Sequence, residues 1–196
     1  YIDVTPGGKD SGYMNVNATR TGYYLAKFMN TVADFLKPLE EQDSRHYNPM
    51  LRKAEVWLNF AEASNEAFGP KVVGPGCTKS AYDVIKIIRE KSGGITDVTY
   101  LDEMAASKET FRTLIQNERR IEFAFENQRF WDLRRWLLPL NEPIYGMRVT
   151  RDGSGDDVFE VVKVEDRPLN DVRYYYMPLP YLEVQKNPNL INNKGW

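Results

Sequence analysis

The chain has 196 residues, of which 42% are hydrophobic and 28% charged, and its formal net charge is -2. This length and composition are typical of an ordinary globular protein with a sizeable core. The sequence contains no run of about 18 apolar residues, the length needed to span a bilayer. The acidic balance argues against nucleic acid as a partner, since a nucleic-acid binder needs a basic face that neutralises phosphates.

The first 48 residues predict loops, with one strand-like patch at 22–30 (GYYLAKFMN). His46 is the single histidine and lies in the polar stretch SRHYNP with no nucleophile motif beside it, which favours a surface loop over a catalytic role. The chain opens at YIDVTPGG, without an initiating methionine or the regions of a signal peptide, so we expect a fragment of a longer protein. Cys77 is the single cysteine, which excludes an internal disulfide.

A helical hairpin is predicted next. Apolar residues recur with helical spacing from Leu51, which predicts a helix over 51–68 that Gly69 ends. A second helix is predicted over 80–91; its apolar stripe consists of Ala81, Val84, Ile85 and Ile88. The pair resembles one tetratricopeptide unit, and because a single hairpin cannot bury its own face, we expect further repeats upstream.

The stretch 108–138 predicts two helices that meet in a turn at Asn127, since asparagine tolerates the left-handed conformation at a helix end. Glu118 and Glu122 lie on or beside the apolar stripe of the first helix, where carboxylates need partners. That stripe consists of Phe111, Leu114, Ile115, Ile121 and Phe125. The nearby arginines are Arg119, Arg120, Arg129, Arg134 and Arg135.

Two interpretations of Glu118 and Glu122 are open. Paired carboxylates carry out glycoside hydrolysis, but residues one helical turn apart are only about 5–6 Å from each other at Cβ. Neighbouring arginines also favour the ionised carboxylate, whereas a general acid must hold its proton. We therefore predict a structural ion-pair network between the two helices, with no catalytic residue. The predicted network consists of Glu118, Glu122, Arg119, Arg120, Arg134 and Arg135.

After Pro139 the sequence predicts two strands around the glycine-rich turn RDGSGDD (151–157). Asp152, Asp156 and Asp157 offer oxygen ligands that suit calcium, but the spacing is not that of an EF-hand loop. The turn is therefore interpreted as a plain hairpin, with no metal site predicted and calcium binding left open.

The stretch VRYYYMPLP (172–180) predicts one more strand, in which Tyr174 and Tyr176 share a face. Tyrosine rings stack on the apolar faces of sugars, so these two residues are the candidate ligand-binding pair, with core packing as the alternative. Loops around Tyr13, Tyr23 and Tyr47, together with the loop tip at 70–79, are weaker candidates. Residues 181–196 predict a short helix or turn and then an extended tail.

Six motifs, in chain order, resemble the SusD/RagB family. They are TGYYLAKFMN (21–30), LRKAEVWLNFAEA (51–63), AYDVIKIIREKSGG (81–94), LIQNERRIEFAFENQRFWDLRRW (114–136), YYYMPLPYLEV (174–184) and NPNLINNKGW (187–196). The resemblance implies a mainly α fold of tetratricopeptide-like helical hairpins with a small β-hairpin appendage. It also implies that residues 1–196 are a single C-terminal domain of a longer protein whose N-terminal half is absent.

The same resemblance implies a non-enzymatic protein that binds glycans or other nutrients at the cell surface. Such a protein is attached to the outer membrane by a lipid anchor outside this chain, needs no cofactor, and delivers oligosaccharide to a TonB-dependent transporter. Family ligand contacts lie largely in the N-terminal half and in variable loops, so no binding residue carries over by number. The alternative is that this half is a scaffold that docks on the transporter and has no ligand site of its own.

Overall fold

The computed structural model describes residues 2–11, 16–29 and 49–196, and the chain divides into two compact units. The helical unit comprises residues 30–129, and the hairpin unit comprises residues 1–29 together with 130–196. The predictions for Tyr13, His46 and Tyr47 fall outside the described residues.

The helical unit contains four described helices: α1 (Lys53–Phe68), α2 (Ala81–Gly93), α3 (Thr99–Met104) and α4 (Lys108–Glu122). α1 ends where Gly69 takes a positive φ of 86°, as predicted. α2 begins with a capping box, in which the Ser80 hydroxyl accepts the Asp83 N–H and the Asp83 carboxylate accepts the Ser80 N–H. α1 packs against both α2 and α4, so the predicted helical hairpin is confirmed.

The core of the helical unit is the apolar stripe that the sequence predicts. Leu58 and Ala61 of α1 are buried against the whole predicted stripe of α2 and against Phe111, Leu114 and Ile115 of α4. The prediction is wrong for Ile121 and Phe125, which are both exposed. Phe125 lies beyond the end of α4 at Glu122 and takes a left-handed φ of 63°, so it leaves the helical face, and Phe123 enters the core instead.

The hairpin unit carries the described antiparallel pair β1 (Ile144–Arg151) and β2 (Asp157–Glu165), with Met147 opposite Val161. The predicted hairpin around the glycine-rich turn is therefore confirmed. The helix α5 (Gln128–Arg135) follows Asn127, whose φ of 61° makes the turn that the sequence predicts. A short helix, α6 (Tyr181–Lys186), is also present as predicted.

Two predicted strands are wrong. Residues 172–175 form a 3₁₀ helix, because the Asp171 side chain accepts the Arg173 N–H and starts a turn, and the prolines that follow cannot donate to a ladder. Over the described residues 22–29 there is no strand, since Gly22 and Phe28 have positive φ values of 74° and 62°. With these corrections the described chain is mainly helical with one two-stranded hairpin.

Candidate functional site

Glu118 and Arg119, adjacent on α4, tie this helix to its two neighbours. Arg89 of α2 donates from Nη1 to Glu118 Oε1 at 2.5 Å, and Arg119 donates from Nη1 to Asn59 Oδ1 of α1 at 2.7 Å. Both Glu118 and Arg119 are buried, so these polar groups need partners inside the protein. The geometry is that of a brace between three packed helices.

Arg52, just before α1, closes the turn that follows α4. Its guanidinium donates to both carboxylate oxygens of Glu126 at 2.7 and 2.8 Å, and to Glu122 Oε1 at 2.8 Å. These hydrogen bonds raise the pKa of Arg52 above its ordinary value, and the bond to Glu126 has a larger effect than the bond to Glu122. The guanidinium groups of Arg52 and Arg119 both lie over the Phe123 ring, at 5.4 and 5.2 Å from its centroid.

The remaining arginines of the predicted network are described by their own contacts. Arg134 donates to the Phe130 carbonyl at 2.9 Å and stacks on the Phe130 ring, and burial lowers the pKa of Arg134. Arg135 pairs with Asp132 at 2.8 Å within α5. Arg120 is exposed. Sequence reasoning did not name Arg52 and Arg89, because no local pattern links them to partners 70 and 29 residues away.

The candidate tyrosines lie in and after the 3₁₀ helix. The Tyr174 hydroxyl accepts from Arg173 Nη2 at 3.2 Å, and Tyr175 donates its hydroxyl to the Leu138 carbonyl at 2.9 Å. Tyr176 is exposed, and its carbonyl accepts the indole N–H of Trp196 at 2.9 Å. Because the segment is not a strand, strand alternation does not put Tyr174 and Tyr176 on one face, and their role in ligand binding stays a prediction.

Two of the three aspartates of the hairpin turn use their carboxylates within the hairpin, and Asp156 takes part through its backbone N–H. Asp152 Oδ1 accepts the backbone N–H groups of Ser154 and Asp156 at 2.8 and 3.0 Å, and Asp157 pairs with Arg151. Among the described residues, no three His, Cys, Asp or Glu side chains come together in a way that could hold a metal ion. Nor is any helix in the described ranges long and apolar enough to cross a membrane.

Comparison with known proteins identifies the family. The sequence matches the SusD family over residues 3–196. The chain belongs to the SusD family. Its members are non-catalytic nutrient-binding components of the outer membrane and are typically surface lipoproteins, which agrees with the prediction that the chain is not an enzyme.

Two SusD-like relatives come from Formosa agariphila. SusD-like protein P2 is 32% identical over 161 residues, which are 79% of this chain and 27% of the relative. SusD-like protein P25 is 29% identical over 175 residues, covering 87% of this chain and 27% of the relative. A SusD-like protein from Bacteroides fragilis, known from its crystal structure, is similar with a TM-score of 0.55 and 37% identity, over 74% of this chain and 25% of that one. The chain therefore spans about a quarter of the length of the relatives it matches.

Proposed function

We propose that this chain is part of a non-catalytic cell-surface protein that captures a glycan at the outer membrane and delivers it to a TonB-dependent transporter. The observation that carries the proposal is the family match over residues 3–196. A lipid anchor would attach the whole protein to the membrane. Capture followed by delivery requires reversible binding and no change in the glycan.

The braced carboxylates support binding rather than hydrolysis. Glycoside hydrolysis needs one protonated carboxyl group and a second carboxylate, both facing the scissile bond. Glu118 is buried between helices and bonded to Arg89, while Glu122 is bonded to Arg52. The bonded arginines favour the ionised form of both carboxylates, whereas hydrolysis needs one of them to hold a proton, so we assign both to the structural brace.

A second candidate is that this part of the protein is a scaffold that docks on the transporter, with the ligand site elsewhere. The hydrogen bond from the Tyr175 hydroxyl to the Leu138 carbonyl favours it, since this bond ties the tyrosine segment to an earlier part of the chain, as expected for packing. Helical hairpins also present broad, rigid surfaces that suit protein partners. Under this alternative the isolated chain binds no sugar but keeps its folded helical unit.

Calorimetric titration of the 196-residue chain and of its longer parent with soluble oligosaccharides tests both candidates. We expect the parent to bind at least one glycan, and mass spectrometry of that glycan to show no cleavage after long incubation. Cleavage would refute the non-catalytic proposal. Binding by the parent alone supports the scaffold, whereas binding by both proteins places a ligand site within this chain.

A further inference from the structure

A cavity in the hairpin unit lies between the N-terminal segment and the β-hairpin, and its walls are held together by backbone contacts. Met147 N–H donates to the Thr21 carbonyl at 2.8 Å. The N-terminal segment and β1 can approach this closely because Gly146 has no side chain: an added Cβ would lie 2.6 Å from the Thr21 carbonyl oxygen. Arg20 adds a contact at the rim by donating to the Val164 carbonyl at 3.2 Å. These contacts hold the walls of the cavity in fixed positions within this unit.

The lining combines apolar side chains with hydrogen-bonding groups. Its apolar members are Val4, Met147, Val149, Val162 and Val164. Its uncharged polar and acidic members are Asp10, Ser11 and Thr19, and Ser11 is only 4% exposed. Tyr24 holds the polar members in place, because its hydroxyl donates to the Asp10 carbonyl at 2.7 Å and accepts the Thr19 N–H at 3.4 Å. An apolar surface beside fixed oxygen atoms suits a ligand that has one apolar face and several hydroxyl groups.

The charges of the lining favour a neutral ligand over an anion. Three cations line the cavity, but each is paired with a carboxylate: Arg20 with Glu165 at 3.1 Å, Arg148 with Glu160 at 3.5 Å, and Lys163 with Asp166 at 3.0 Å. Asp10 adds a negative charge to this balanced set. An anionic ligand would have to compete for the paired cations and approach Asp10, whereas hydroxyl groups can donate to its carboxylate.

The size of the cavity limits the ligand to one ring. Its volume is about 280 Å³, just below the range of about 300–1,000 Å³ that is typical of drug-sized ligands. We propose that this cavity binds a single neutral sugar ring, with ring hydroxyl groups donating to Asp10 and the apolar ring face against the valines of β2. The inference rests on the proposed function and gives a glycan a definite subsite within this chain.

Nuclear magnetic resonance titration of the isotope-labelled 196-residue chain tests the proposal directly. The probes are glucose, galactose, mannose and N-acetylglucosamine, with galacturonate as the anionic counterpart of galactose. We expect at least one neutral sugar to shift the amide signals of Ser11, Thr19 and Val162, and galacturonate to bind more weakly than galactose. Because the shifts are mapped on the unaltered chain, this measurement does not depend on any variant folding.

Asp10→Asn removes the charge but keeps an oxygen that can accept the Asp3 N–H, which Asp10 Oδ2 now accepts at 2.8 Å. We expect it to weaken sugar binding by about tenfold, the usual scale for losing a hydrogen bond to a charged acceptor. The matched control is Asp97→Asn in the helical unit, whose carboxylate also accepts a backbone N–H, that of Thr99 at 2.9 Å. The control should leave the affinity for the sugar unchanged.

The outcomes separate this inference from the proposed function. If the parent binds an oligosaccharide while Asp10→Asn has no effect and the lining signals do not move, the cavity is not the subsite and the proposed function stands. Tighter binding of galacturonate than of galactose overturns the assignment to a neutral ring. If the parent binds no oligosaccharide and no monosaccharide shifts the lining signals, both proposals fail together.

Discussion

Replacing Arg52 with alanine removes one guanidinium that hydrogen-bonds two carboxylates, and the cost follows from how far the three side chains are buried. Their exposed fractions are 24% for Arg52, 14% for Glu122 and 12% for Glu126. Removing one partner of a fully buried ion pair costs about 3–5 kcal/mol, whereas an exposed pair contributes about 0–1 kcal/mol. Both glutamates keep further contacts, so we expect Arg52→Ala to lower the free energy of unfolding by about 2–3 kcal/mol.

Urea denaturation followed by far-UV circular dichroism measures this loss, because most of the described helical residues belong to the helical unit. The same loss corresponds to a melting temperature lower by about 4–12 °C for a chain of this length. Arg52→Lys should be intermediate, since lysine keeps the charge but lacks the planar fork that bonds two carboxylates at once.

The matched control is Arg20→Ala in the hairpin unit. It breaks the Arg20–Glu165 pair, whose side chains are 70% and 53% exposed, so the expected loss is within about 1 kcal/mol. If Arg52→Ala destabilises the protein no more than Arg20→Ala does, burial does not set the strength of the brace and the reasoning is refuted.

Three further predictions concern single contacts. Gly146→Ala should cost about 1–3 kcal/mol in thermal unfolding, because its Cβ would meet backbone atoms, whereas Gly153→Ala, with open space around it, should be nearly neutral. The Ser80 backbone N–H holds the pKa of Asp83 below its ordinary value of 3.8. The ionised capping carboxylate therefore stabilises the fold at pH values above 3.8, and this stabilisation is lost as the pH falls through the lowered pKa. Asp83→Ala should therefore cost about 1 kcal/mol at neutral pH, and urea titrations in acid should show the difference from the unaltered chain disappearing. Tyr175→Phe should cost about 0.5–1.5 kcal/mol in the same urea assay, since it removes a hydroxyl that donates to a backbone carbonyl; no measurable loss would contradict the packing role.

Helical spacing predicted the α2 part of the core of the helical unit well, because the whole predicted stripe of α2 packs against other apolar residues. It could not predict α3, a helix of six residues of which only Leu101 is buried, since one buried residue makes no periodic pattern. At 172–180 the tyrosines favoured a strand by propensity, but the cap from Asp171 and the nearby prolines decided the local structure. Local hydrogen bonds overrode the propensity there.

The site was less predictable than the fold. Glu118 and Glu122 were identified from their position on an apolar stripe, which is a local signal. Arg52 and Arg89 bond to them from other elements of the chain, and nothing in the sequence around either arginine indicates which carboxylate it reaches. The sugar-sized cavity was missed for the same reason, since its walls come from the first 22 residues and from positions after 146.

The hairpin unit is discontinuous in sequence, and this has a consequence for folding during synthesis. Thr21 leaves the ribosome well before Met147, the residue that donates to its carbonyl. At translation rates of about 5–20 residues per second, the delay is on the order of ten seconds. All of the helical unit is made in that interval. Its helices can therefore pack first, before β1 is available to hydrogen-bond with the N-terminal segment.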